Sequence, residues 1–426
     1  MTALDAGSTV SRQSTQDWTD SKRYLWLLGL VVPSLAFLAW GLHALTGWGV
    51  WWWLGPIVVF GVVPVIDLAA GLDRSNPPDD LIEALENDRY YRWITYLYLP
   101  IQYAALVWGC WMFTHGGLPL MDQAGLALSI GTIAGIGINT AHELGHKREQ
   151  HERWLAKIAL AQSFYGHFYI EHNRGHHVRV ATPEDPASSR LGESLYAFLP
   201  RTVLGSVRSA WNLEKPRFKR RSKSHWSIHN DVINSWLMSA VLWGALAVAF
   251  GWQVLPFLVI QAVVGLSLLE VVNYLEHYGM RRHRTGEDGT GRYERVLPSH
   301  SWNSNNIATN VLLYHLQRHS DHHANPTRRY QTLRDFEESP SLPTGYAGMI
   351  LLAMVPPLWR RVMDPRVLAH FEGDLSRANL QPSKRDRILA AYPPPSAVQV
   401  TGQAGDSARP SSAHAVWKVP SRSVRS

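Results

Sequence analysis

Residues 118–147 read LPLMDQAGLALSIGTIAGIGINTAHELGHK. Up to Thr140 the stretch carries one charge, Asp122. A helix rising about 1.5 Å per residue crosses a hydrocarbon core about 30 Å thick in roughly 20 residues, so this run is long enough to span a bilayer. It then feeds directly into HELGHK, with His142 and His146 four residues apart. On a continuing helix that spacing puts both rings on one face, about 5–6 Å apart at Cβ, near enough to share a metal ion.

Five further runs have the same character: residues 24–47, 50–71, 93–113, 233–250 and 252–274. A buried core helix accounts for one such run in a soluble protein but not for six, so the fold expected is an all-α integral membrane protein with six transmembrane helices. Pro33, Pro56, Pro64, Pro100 and Pro256 lie inside the runs, which predicts kinks. Trp51, Trp52 and Trp53 sit near a run's end, as an interfacial aromatic belt does.

Orientation follows from the basic residues. The connections around residues 48, 115 and 251 carry no Lys or Arg, whereas Lys22 and Arg23, the 72–92 loop, the 141–232 segment and the chain after Met280 do. Both termini are therefore expected in the cytoplasm. The net charge of +7 is then topological and gives no ground for nucleic-acid binding. The first residues show no cleavable signal peptide. The organisation expected is a polar N-terminal segment over 1–23, a membrane domain over 24–392, and a Pro/Ser/Ala/Gly-rich disordered tail or linker over 393–426.

Three more histidine groups follow: EHNRGHH at 171–177 with His172, His176 and His177; His277 in NYLEHYGM; and LQRHSDHH with His319, His322 and His323. Two spans separate the first pair of groups from the second pair, so an even number of crossings returns all nine histidines to one membrane face, in a histidine-rich helical cap on the cytoplasmic side. Nine imidazoles exceed the four to six ligands of one first-row ion and correspond to two metal ions. Imidazole alone does not choose among Zn, Cu, Fe and Ni.

Glu143, Glu171, Glu276 and Asp321 each stand in a cluster, and Asp185 follows in ATPEDPAS. Adjacent helical side chains point about 100° apart, so these carboxylates are expected to orient imidazole N–H groups, with ordinary surface or capping roles as the alternative. For Glu276 a role as direct ligand or bridge also stands open. His167 and His315 lie about one helical turn from clustered histidines. The single cysteine, Cys110, excludes an internal disulfide and any cysteine-ligated iron centre, and no nucleotide or flavin motif is present.

NTAHELGHK, EHNRGHHVRVATPEDPASSR, NYLEHYG and LQRHSDHHANPTRRYQTLRDF, in this order and at these separations, resemble the signatures of the integral-membrane alkane hydroxylases (alkane 1-monooxygenases), within the broader membrane di-iron class of fatty acid desaturases and hydroxylases. The resemblance implies two iron ions on the nine histidines, O2-dependent terminal hydroxylation of medium-chain linear alkanes, a bacterial inner-membrane location, and electrons from rubredoxin with its rubredoxin reductase. The basic stretch EKPRFKRRSK at 214–223 is foremost a positive-inside loop for contact with lipid head groups, and offers Arg217, Lys219, Arg220 and Arg221 for docking an acidic carrier as the other reading. The linker-like tail also allows a tethered carrier domain in a longer parent chain.

Three other readings stand beside this one. A desaturase uses the same chemistry on another bond. HELGH fits H-E-x-x-H, with Glu143 as the base of an intramembrane zinc metalloprotease, though that would leave six or seven clustered histidines without work. A membrane metal carrier would want coordinating groups at mid-membrane, and the spans hold little beyond Asp67 and Glu270.

Overall fold

The apolar runs become long helices because, without water, only an intra-segment ladder satisfies every backbone N–H and C=O. The computed structural model describes residues 18–286 and 290–394. Residues 1–17 of the expected polar N-terminal segment, and the tail from residue 395 onward, lie outside the described residues. Among those described there is no β-strand, only isolated bridges.

The long helices are α1 (Leu25–Thr46), α2 (Gly49–Ala70), α3 (Arg89–His115), α4 (Leu120–Gly145), α5 (Leu195–Lys219), α6 (Asp231–Phe250) and α7 (Trp252–His277). Five of them, α1, α2, α4, α6 and α7, are long and apolar enough to cross a membrane. The expected count was six. The difference is α3, whose 27 residues form one helix around Pro100 but whose first half is rich in tyrosine and includes Gln102. Donors among them find partners inside the bundle: the Tyr98 hydroxyl donates to the Ile133 carbonyl at 3.0 Å, and the Gln102 amide N–H donates to Gln162 Oε1 at 2.8 Å. A four-residue connection joins α3 to α4, and Arg92 near its start pairs with Glu149 just past the end of α4, at 3.5 Å. Thus α3 runs antiparallel beside α4 over most of its length.

Proline leaves its mark in α2, where a π turn at Val58–Val62 lies between Pro56 and Pro64. Pro100 and Pro256 sit in or at the start of otherwise regular helices.

The centre of the bundle is the crossing of α4 and α7. A Cβ on Gly131 would lie 2.6 Å from Val264 Cβ, and one on Gly135 would lie 2.9 Å from the Leu268 side chain, while Gly265 faces them from α7. Such close backbone approach suits a membrane interior, where tight packing and not the hydrophobic effect holds helices together. From Gly125 to Gly145 almost all of α4 is buried.

The remaining elements pack at the shared end of α4 and α7. They are the helix Gln150–Ala161, the helical turn over 168–179, α5, and short helices at Ile307–Leu312, His319–Ala324, Tyr346–Ala353 and Pro356–His370. Buried Arg282, just past α7, fastens this cap: its guanidinium donates to the carbonyls of Val180 and Val178, both at 2.7 Å. The Trp302 amide donates to the Glu276 carbonyl at 2.8 Å, and the Tyr274 hydroxyl to that of Glu193 at 2.8 Å.

Candidate metal centre

All nine histidines meet in this cap, in two groups. His142, His146, His172, His177 and His322 form one, and His176, His277, His319 and His323 form the other; within each group the candidate ligand nitrogens lie within 4.8 Å of one another. The groups adjoin, with the His177 and His323 ring centroids 4.5 Å apart.

Local backbone geometry decides this division. His142 and His146 share a face at the end of α4 by ordinary i, i+4 spacing, as do His319 and His323 on their short helix, from which His322 points to the other group. The EHNRGHH segment is different. His172–His176 is a π turn between two short α segments. In an α-helix residue i+5 points about 140° away from residue i, whereas a wider i→i+5 turn brings it back to the same side. His177 Nε2 accordingly sits 3.1 Å from His172 Nε2 and 3.1 Å from His322 Nε2, while His176 turns to the second group.

The donor set fits cations. The buried Nε2 atoms of His142, His146 and His176 have no hydrogen-bond partner. Others face one another, His319 Nε2 lying 3.3 Å from His277 Nε2 and 2.8 Å from His323 Nε2. A single N–H between two nitrogens satisfies one such contact, but converging lone pairs from several rings need a positive charge between them. Burial, reinforced by neighbouring imidazoles, holds His146, His172, His177, His319, His322 and His323 well below the ordinary imidazole pKa, in the neutral form that binds metal.

Two carboxylates touch these rings. Asp185 Oδ2 lies 2.9 Å from His176 Nδ1, the nitrogen facing away from the group, and also accepts from the Ser188 hydroxyl at 2.6 Å. Glu276 is placed differently: its Oε2 lies 3.1 Å from His319 Nε2, on the side where the four nitrogens converge, and its Oε1 accepts from the Tyr346 hydroxyl at 2.8 Å.

Residues 123–353 match the fatty acid desaturase family model. The chain is 46% identical over 376 residues to alkane 1-monooxygenase 1 of Alcanivorax borkumensis, covering 88% of this chain and 92% of that protein. It is likewise 46% identical over 386 residues to the alkane 1-monooxygenase of Pseudomonas putida, covering 91% and 95%. The chain belongs to the alkane 1-monooxygenase family. A more distant relative, the xylene/toluene monooxygenase hydroxylase component XylM of Pseudomonas putida, is 26% identical over 353 residues, covering 80% of this chain and 88% of that one.

In this alkane 1-monooxygenase family member the other carboxylates expected at imidazoles bind cations instead. Glu143 pairs with buried Lys147 at 2.9 Å and accepts from the Tyr330 amide at 3.2 Å. A metalloprotease reading would need this same carboxylate as its general base. Glu171 accepts from Arg179 at 2.7 Å, and Asp321 from Arg328 at 2.6 Å and Asn325 at 2.7 Å. Each stands one position from a ligand-type histidine, and the 100° step turns it outward. His167 and His315 belong to neither group: His315 Nδ1 meets the Tyr330 carbonyl at 2.9 Å, and His167 packs on Tyr165. At the end of α5, Arg217 is held by Glu214 and by the His229 carbonyl at 2.9 Å, while Lys219, Arg220 and Arg221 are exposed.

Sequence reasoning missed Tyr346. It lies in an apolar stretch with nothing to mark it, yet its hydroxyl meets Glu276 and its side chain lines a cavity among the spans. That cavity is walled mostly by aliphatic side chains, among them Val59 of α2, Ile136 of α4, Val272 of α7 and Leu316, with Asn139 and Thr309 as scattered polar edges.

Proposed function

We propose that the chain hydroxylates the terminal carbon of medium-chain linear alkanes with O2, giving 1-alkanols, at two iron ions. His142, His146, His172, His177 and His322 would hold one ion, and His176, His277, His319 and His323 the other. Electrons would come from rubredoxin, re-reduced by rubredoxin reductase. The protein would sit in the bacterial inner membrane with both termini cytoplasmic, a reading supported by the basic loops 72–92 and 141–232 flanking the spans.

The observation that carries this reading is the cavity, whose Tyr346 hydroxyl is bonded to the carboxylate standing at His319. An alkane offers no polar handle, and the bilayer already concentrates it, so a protein selects it only by shape. Aliphatic walls exclude water along the chain. The cavity is linked to the histidines through Tyr346 and Glu276, and a chain entering from the bilayer toward that end would present its terminal carbon first, which makes regiochemistry positional. Bound iron would supply reduction of O2 and removal of a hydrogen atom from the substrate carbon. Tyr346 holds Glu276 in place by donating to Oε1, leaving Oε2 toward His319. Asp185 holds the His176 ring by its outward nitrogen.

The test is purified protein loaded with iron and supplied with reduced rubredoxin, O2 and a series of linear alkanes. Recovery of 1-alkanols, with about two irons per chain, is the expected result. Alkenes would point to a desaturase, and one zinc per chain without alcohol would point to a hydrolase.

A further inference from the structure

With a single cysteine, buried in α3, the chain cannot build a cysteine-ligated redox centre of its own, so the electrons for the proposed reaction must enter through its surface. Electron transfer weakens steeply with distance and favours bonded routes. The entry point is therefore sought where solvent-facing surface comes closest in bonds to the histidines.

A pocket between the 183–190 loop and α5 meets that requirement. Asp185 lines it, and Asp185 is hydrogen-bonded to His176 at 2.9 Å, so one hydrogen bond separates the pocket wall from the four-histidine group. Four arginines surround it: Arg179, Arg190, Arg201 and Arg208. Arg179 is paired with Glu171 and Arg201 with Glu193, both at 2.7 Å. Arg190 and Arg208 form no ion pair among the described residues, and Arg208 is exposed. The acidic residue at the rim, Glu184, is already taken up by Arg284 at 3.2 Å and by the Tyr293 hydroxyl at 2.7 Å. The pocket thus offers uncompensated positive charge directly over a carboxylate that holds a ligand-type ring.

Other basic surfaces lack this combination. Around Lys147 the cations are largely paired, Lys147 with Glu143, Arg92 with Glu149 and Arg329 with Glu152. Around Arg217 no lining residue touches a histidine of either group.

We propose that this arginine-rimmed pocket is the docking site of an acidic, one-electron carrier protein, and that Asp185 and His176 form the bonded route inward. The proposal rests on the reading of the chain as an oxygenase fed by an external carrier. Each docking oxidises the carrier by one electron. Two dockings supply the two electrons which, with two protons, convert alkane and O2 to alcohol and one water.

The experiment uses the full chain in nanodiscs of neutral lipid and zinc-substituted rubredoxin as a redox-inert probe, with Kd read by fluorescence anisotropy. The double variant Arg190→Glu/Arg208→Glu is expected to raise Kd at least about tenfold and to flatten its salt dependence. KM for reduced rubredoxin in turnover rises in parallel, with kcat at saturating carrier close to that of the parent. The triple variant Lys219→Glu/Arg220→Glu/Arg221→Glu is the control and leaves Kd within about twofold. Unchanged Kd and KM in the double variant overturn the proposal, as does an effect confined to the triple variant. So does a double variant whose only defect is weaker sedimentation with phosphatidylglycerol vesicles, which would make the pocket a lipid headgroup site. A parent protein that makes no alcohol with any reductant would instead defeat the oxygenase reading, and the anisotropy result would still decide docking.

Discussion

Replacing Asp185 with asparagine should weaken one metal ion and spare the other. Asp185 is buried and accepts three hydrogen bonds, from His176 Nδ1 at 2.9 Å, the Ser188 hydroxyl at 2.6 Å and the Ala187 amide at 3.2 Å. Burial alone would raise its pKa, but the His176 ring and the Ser188 hydroxyl outweigh burial and hold it at about 2, so it is ionised at neutral pH. Asparagine keeps the size, loses the charge and turns an N–H toward one of the three donors. Loss of such a partner to a metal-bound imidazole costs about 10- to 100-fold in metal affinity, or about 1.4–2.7 kcal/mol. Of the nine histidines, His176 is the one hydrogen-bonded to Asp185, so the cost falls on the four-histidine group. Anaerobic titration of metal-free protein with Fe(II) against a competing chelator measures it. The parent should take up about two ions, and Asp185→Asn should lose one of them at a chelator concentration about 10- to 100-fold lower while retaining the other. Equal weakening of both ions, or an unchanged curve, would refute the division of the histidines into two groups.

His177→Ala and His176→Ala, though adjacent, should each empty a different group, which metal content and the spectroscopic signature of the remaining ion would distinguish; the same residual species from both variants would contradict the geometry. Gly131→Ala brings a Cβ to 2.6 Å from Val264 Cβ and should destabilise the α4–α7 crossing by about 1–3 kcal/mol, read as lower thermal stability in detergent, whereas Gly61→Ala, with open space at its Cβ, should not. Val59→Trp fills the wall of the aliphatic cavity and should shift the product profile toward shorter alcohols in a mixed-alkane assay; an unchanged profile would place the substrate elsewhere. Tyr346→Phe removes the donor to Glu276 Oε1 and should lower kcat more than it raises KM for alkane, without changing metal content at saturating iron.

Much of this architecture was legible in the residues because the bilayer restricts the options. Apolar length and the even crossing count were enough to bring four distant histidine groups to one end of the bundle. The weaker mark of α3 arises because polar donors such as the Tyr98 hydroxyl and the Gln102 amide find acceptors on distant neighbours, Ile133 and Gln162, that no local pattern reveals. The assignment of individual rings was hidden for a similar reason: it turns on a π turn, and HNRGH carries no signal for one. Between the two roles left open for the carboxylates, the sequence could not choose, because the cations that pair with Glu143, Glu171 and Asp321, namely Lys147, Arg179 and Arg328, are set by the packing of the cap. Glu276 escaped the argument from adjacent residues because it is directed not at its neighbour His277 but at His319, 43 positions further along the chain.

The wider turn at His172–His176 has a consequence for how such a centre can change over time. Delete one residue there and an ordinary helix would return, leaving the three rings to be shared out anew and one of the two histidine groups short of a donor. A point substitution removes one donor at a time, whereas the length of this five-residue segment sets how all three of its rings are divided between the two groups.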